Sequence, residues 1–117
     1  MSRTKKNVII ILCVILIGLV TLPKVYIEVN KYIYKNRVMT YLIEENDFEK
    51  GDIESIEGIW GFKLPAFYAI VTFKNEPEVE YIYFAHDDVF QFSYQITDEG
   101  QKVGIIEDDL KNYNPHY

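Results

Sequence analysis

Side-chain chemistry needs a nucleophile with a base in reach, or a set of metal ligands, and this sequence scatters its candidates. It has two histidines, His86 in an apparent turn and His116 next to the end. Ser55 and Ser93 stand in no G-x-S-x-G setting, so neither carries the cue of a serine activated by a neighbouring base. Zinc would need three or four nitrogen or sulfur ligands, and the single cysteine, Cys13, lies inside a run of apolar residues. Carboxylates are plentiful. Glu76, Glu78 and Glu80 alternate as if on one strand face, where they read as solvated edge charges that discourage edge-to-edge pairing; a patch for a divalent cation or a basic partner is the functional alternative. Glu44–Glu57 holds seven acids but fails the EF-hand spacing: after Asp47 and Glu49 the next ligand position is Gly51, and Gly58 stands where the bidentate glutamate belongs. His86-Asp87-Asp88 reads as a polar turn, with a metal or pH-sensing spot as the weaker alternative. No glycine-rich phosphate loop occurs. These residues predict neither an enzyme nor a bound cofactor. Aromatics not used in the core, with Trp60, Tyr81 and Tyr83 as candidates, would be anchors of a protein interface.

The element that must position all of this is Val8–Leu22, an apolar run reaching from Val8 through Cys13 to Leu22. Arg3, Lys5 and Lys6 precede it and Pro23-Lys24 follows. The charge-free window Asn7–Pro23 spans roughly 25 Å as a helix, slightly short of a ~30 Å hydrocarbon core. Val25, Tyr26 and Ile27 can supply another turn while the Lys24 amine snorkels to the surface. A cleaved signal peptide competes, because its apolar segment has this length. The exit Gly18-Leu19-Val20-Thr21-Leu22-Pro23 offers no small-x-small cleavage site, and bulky Leu12 before Cys13 argues against lipidation there. The reading is an uncleaved single-pass anchor spanning residues 1–23. The excess of basic residues ahead of the run places the N-terminus in the cytoplasm and residues 24–117 outside, as one small domain at the cell membrane. Three of the 12 basic residues precede the run and all 18 acidic ones follow it, so the remainder carries a formal charge of −9. Such a surface disfavours binding to nucleic acid or lying flat on anionic lipid. With no second cysteine, the domain has no disulfide to staple it.

From Lys24 to about Asn46 the spacing predicts a helix whose apolar face is Val25, Val29, Tyr32/Ile33, Met39 and Leu42/Ile43, interrupted at Asn36, with Asn46 as C-cap. Pro23 either opens this helix or kinks a continuous one. Tyr26, Tyr32 and Tyr34 would sit at the membrane interface or pack on a sheet. The period then becomes two. Ile53–Phe62 reads as a strand with Ile56, Trp60 and Phe62 on one face and a bulge at Gly58 or Gly61. Leu64-Pro65 interrupts. Ala66–Phe73, Glu78–Ala85 and Val89–Ile96 follow as strands, with Lys74-Asn75-Glu76-Pro77 and His86-Asp87-Asp88 as turns. In the last strand Phe90, Phe92, Tyr94 and Ile96 alternate with Val89, Gln91, Ser93 and Gln95, which predicts that the former are buried. The predicted class is α+β: a transmembrane helix, then a helix packed on one face of a roughly four-stranded antiparallel meander. The tail from Thr97 is expected to be weakly structured, with a short helix at Ile105–Leu110 at most.

Tyr41–Phe84, behind a basic-flanked span, carries a resemblance. The helix exit Tyr41-Leu42-Ile43-Glu44-Glu45-Asn46-Asp47-Phe48, the step Phe62-Lys63-Leu64-Pro65 and the hairpin words from Phe73 to Tyr83 resemble an uncharacterised domain-of-unknown-function family, family 3139. Its members are short, N-terminally anchored proteins of low-GC Gram-positive bacteria. The resemblance covers about residues 3–96 and implies no activity. Asn46-Asp47 replaces an expected glycine turn, and the tail after Ile96 has no counterpart. The expected function is a membrane-tethered module that binds another protein of the cell envelope. A cation or small-ligand sensor is the alternative, and a secreted acidic domain would follow if the span were cleaved.

Overall fold

The computed structural model describes residues 2–61 and 66–115. It is an α+β arrangement of one long helix, α1 (Arg3–Glu44), and four strands, β1 (Ile53–Trp60), β2 (Phe67–Phe73), β3 (Glu76–Phe84) and β4 (Phe90–Ile96), followed by a short helix, α2 (Asp98–Lys102). The sheet order β1-β2-β3-β4 is an antiparallel meander, as the short loops require. Phe62, Lys63, Leu64, Pro65 and His116 lie outside the described residues, and with them the expected outer end of the first strand.

α1 is continuous through Pro23. Proline lacks the N–H that would reach the carbonyl four residues back, and Pro23 neither opens a second helix nor ends the first. Arg3–Glu44 is therefore one continuous helix of about 63 Å at 1.5 Å per residue. Ser2 caps its start by accepting from the Lys5 amide. Its first half is long and apolar enough to cross a membrane, and none of that stretch is buried against the rest of the chain. At the other end the chain turns through Asp47, which takes a φ of 59°. That is the left-handed conformation a glycine would suit, and aspartate tolerates it better than most side chains.

The second half of α1 packs on the sheet through Met39 and Leu42, as expected, but ahead of them through a different face. Tyr34, Val38 and Leu42 are buried, at a spacing of four, and Ile27, Met39 and Tyr41 pack beside them. Val25, Val29, Tyr32 and Ile33, which the spacing selected, are exposed at 52, 49, 66 and 38 %. Two apolar stripes run along this helix, and helical period alone does not say which one meets the sheet. Tyr34 lies on Phe67 with ring centroids 5.4 Å apart, and Phe48 beyond the helix stacks on Phe73 at 4.7 Å. Tyr26 meets the edge of Phe67 at 6.1 Å, while Tyr32 points outward.

Gly58 explains how closely helix and sheet approach. It sits in register opposite Ala69 and is not a bulge, which lies instead between Ile53 and Ser55. A Cβ at Gly58 would fall 2.3 Å from the Lys31 carbonyl oxygen. The helix backbone rests directly on the β1 backbone there, which only glycine permits.

The inner face is Ile56, Phe67, Ala69, Val71, Phe73, Val79, Tyr81, Tyr83 and Ala85, all buried. β4 departs from the alternation expected of it. Its register slips between Ile82/Ser93 and Tyr83/Gln91, leaving Phe92 as the extra residue. One inserted residue reverses which side chains face inward. Tyr94 and Ile96 pack toward the core as the alternation predicts, but beyond the slip Gln91 (2 % exposed) turns inward while Phe90 and Phe92 turn away, Phe92 being 46 % exposed. Gly58→Ala is expected to destabilise the full chain by about 1–3 kcal/mol, the usual cost of overpacking a tight contact. A urea melt followed by tyrosine and tryptophan fluorescence checks this, against Gly61→Ala, where a Cβ meets nothing within 4 Å.

Candidate functional site

Glu76, Glu78 and Glu80 do not form the shared edge face their alternation suggested. β3 is an inner strand, and its pairing with β2 slips between Val71/Tyr81 and Phe73/Glu76. The slip turns Glu76 to the same side as Tyr81, while Glu78 and Glu80 remain half-buried elsewhere. Glu76 is 4 % exposed and its carboxylate is fully engaged. It accepts from the Tyr81 hydroxyl, from the Lys111 amide at 2.8 Å and from the Asn112 side-chain amide at 3.0 Å. Oxygens committed in this way to three donors have little left for a cation.

The chain beyond Ile96 is built onto the sheet rather than loose, and the short helix is α2, earlier than the expected Ile105–Leu110. Thr97 caps α2 by accepting from the Gly100 amide, and its hydroxyl donates to the Glu78 carbonyl. Glu107–Asp109 is only a single 3-10 turn. Residues 111–114 then cross the inner side of β3 and β4, the half of that face that α1 leaves open. Gln91 secures them: its amide nitrogen donates to the Tyr83 hydroxyl and the Asn112 carbonyl, both at 2.9 Å, and its oxygen accepts from the Asn114 amide at 2.6 Å. Tyr113 packs edge-on to Tyr94 with centroids 4.8 Å apart. The buried Gln91 and Glu76 are the polar hooks that hold this strap, and the alternation that flagged Phe90 and Phe92 as core hid the first of them.

Tyr81 and Tyr83, expected as interface aromatics, are 0 and 2 % exposed and present no ring to a partner. Trp60 is half-buried against the core. Burial raises the Tyr81 phenol far above its ordinary 10.0, with the bond to Glu76 adding to the shift. Burial also pushes Tyr83 up to about 12.

The His86-Asp87-Asp88 turn docks on α1. The Tyr34 hydroxyl lies 2.9 Å from His86 Nδ1, and Arg37 donates to the carbonyls of Ala85 and His86 at 2.7 and 3.1 Å. Burial raises the Tyr34 phenol as well, with Arg37 opposing the shift. A groove of about 770 Å³ opens beside this turn, lined by Asn36, Arg37, Glu44, Glu45, Asp87 and Asp88 among others. Among the described residues no three His, Cys, Asp or Glu side chains converge as metal ligands would.

The outer face of the sheet is the other distinctive surface. Ile59 pairs with Tyr68, Ile70 with Ile82 and Phe84 with Phe90, and Phe92 stacks on Phe84 at 4.5 Å. This apolar ribbon runs diagonally across all four strands on the side away from α1. Antiparallel sheets usually turn a polar face to water, so a ribbon of this composition is the surface on the domain best suited to contact.

Two outcomes follow. Glu76→Gln puts an amide donor among three donors and is expected to loosen the strap, at a cost of about 1–3 kcal/mol; hydrogen exchange at the Lys111 and Asn112 amides should quicken while α1 stays protected. The raised phenols set an alkaline limit. Below pH 10 folded and unfolded chains hold these protons equally; above it the unfolded chain releases them first, so stability falls as pH rises toward about 12. The urea midpoint should drop across that window, and less steeply in Tyr83→Phe.

No curated protein and no solved structure matches the chain. A family model matches residues 5–83, from the basic N-terminus through α1 and the first three strands to Tyr83. That stretch includes the helix exit and the hairpin and stops short of β4 and the strap. The chain belongs to the family described as "Protein of unknown function (DUF3139)".

Proposed function

We infer that this protein is a membrane-anchored module, displayed on the outer side of the membrane, that binds another protein of the envelope through the outer face of its sheet. The observation that carries this reading is the apolar ribbon ending in Phe84, Phe90 and Phe92, with Phe92 46 % exposed. Clustered aromatics of this kind anchor protein interfaces. Anchoring is supported by the unburied apolar half of α1 and by the basic residues ahead of it. A partner in the same membrane meets a tethered ribbon at high effective concentration, so a small contact suffices. Continuity of α1 from span to sheet holds the domain at a fixed distance and rotation from the bilayer.

Two measurements test this. Full-length chain carrying a C-terminal tag, fractionated and then shaved with protease on intact cells, should stay membrane-bound at full length and lose its domain to the protease. A shortened, soluble product would make Val8–Leu22 a signal peptide and remove the tether. Phe84→Ser with Phe92→Ser should abolish in-cell cross-links to the partner while leaving the far-UV dichroism unchanged. Cross-links that survive this double change would exclude the ribbon as the interface.

A further inference from the structure

The length of the span says where the bilayer ends on α1. A hydrocarbon core of ~30 Å takes about 20 residues of helix at 1.5 Å each. Counted from Asn7, the first residue after the basic cluster, that reaches Tyr26. The polar headgroups add roughly 5–7 Å on each side, so a core ending at Pro23 would still hold Tyr26 within them. Val25 and Tyr26 are exposed at 52 and 62 %, open to whatever surrounds the helix at that level.

Two independent contacts bring one end of the sheet to the same level. Tyr26 meets the edge of Phe67, the first residue of β2, with ring centroids 6.1 Å apart. β1 descends along α1 toward the span: Ile53 and Ile56 border a hollow with Met39 and Lys35, and Gly58 rests on the Lys31 carbonyl. Trp60 lies two residues further, about 7 Å along the strand, against about 7.5 Å of helix from Lys31 to Tyr26. It pairs with Phe67 across the ladder, and the Gly61 amide donates to the Ala66 carbonyl at 2.9 Å just beyond. Trp60 is only half-buried on the core, so part of its indole remains for another contact.

The chemistry of this end suits lipid. Tryptophan and tyrosine gather at the headgroup boundary, where the ring is buried and its N–H or O–H stays wet. The charges beside them balance: Lys24 and Lys31 stand against Glu28 and Glu57, and Lys31 pairs with Glu28 at 3.4 Å. The acids that make the domain negative lie mostly at its other end, between Glu44 and Glu54 where α1 gives way to β1, and between Asp98 and Asp109 after β4.

We propose that the Trp60/Phe67 end of the sheet, together with Tyr26, is seated in the headgroup layer of the bilayer that α1 crosses. The proposal rests on the anchor reading above. A span alone leaves the domain free to tilt; the seat is a second point of contact, and it turns the sheet's outer face sideways, toward neighbours in the same membrane.

Trp60 is the chain's single tryptophan, so its fluorescence reports the seat directly. Full-length chain is reconstituted into phosphatidylcholine vesicles whose acyl chains carry bromine near the carboxyl end or near the methyl end. The vesicles are floated on a density gradient and the emission is compared with that in unbrominated lipid. Bromine near the carboxyl end should quench Trp60 about twofold, as for an indole at the headgroup boundary, and bromine near the methyl end clearly less. In a Trp60→Phe chain, Val103→Trp, at a position 72 % exposed beyond α2 at the far end, should not be quenched. Floating chain whose Trp60 emission is unchanged by bromine overturns the seat and leaves the anchor standing. Equal quenching of the two tryptophans would mean that the domain lies flat, which also overturns it. Chain that does not float with the vesicles removes anchor and seat together.

Discussion

The contact of the Lys31 backbone with Gly58 fixes the rest of the structure. It brings α1 onto β1 more closely than any other residue at position 58 would allow, and so sets the rotation of the helix about its own axis. With that rotation set, Tyr34, Val38 and Leu42 point into the sheet, Arg37 reaches the carbonyls at the β3–β4 turn, and the second apolar stripe points away. The helix covers β1 and β2 and leaves the inner side of β3 and β4 open.

That open half accounts for the C-terminal strap. A four-stranded sheet with a single helix has too little cover for its inner face, and the buried tyrosines of β3 would otherwise meet water. Residues 111–114 close it, and the polar groups that this burial creates are matched one by one: Glu76 with Tyr81, Lys111 and Asn112, and Gln91 with Tyr83, Asn112 and Asn114. No buried side-chain nitrogen or oxygen among the described residues is left without a partner. A network satisfied to this degree holds one arrangement strongly, since loosening any member strands a buried donor or acceptor. The family match ends at residue 83, ahead of β4 and the strap.

Composition and local pattern determined much by themselves. A fifteen-residue, charge-free run behind three basic residues pointed to a long unburied helix, and the change from a period near four to a period of two placed four strands joined by short loops. The number and order of the strands follow from residues adjacent in the chain. Which side chain faces which way did not. Phe92 in β4 and the slip beside Glu76 in β3 are single-strand irregularities, and each reverses a face, burying Gln91 and Glu76 and exposing phenylalanines. On α1, two stripes satisfied the same helical period, and the choice fell to a glycine 27 residues further along the chain. Pleat and period fix alternation within an element, but its phase is set by the neighbour it packs against, which only the tertiary structure supplies.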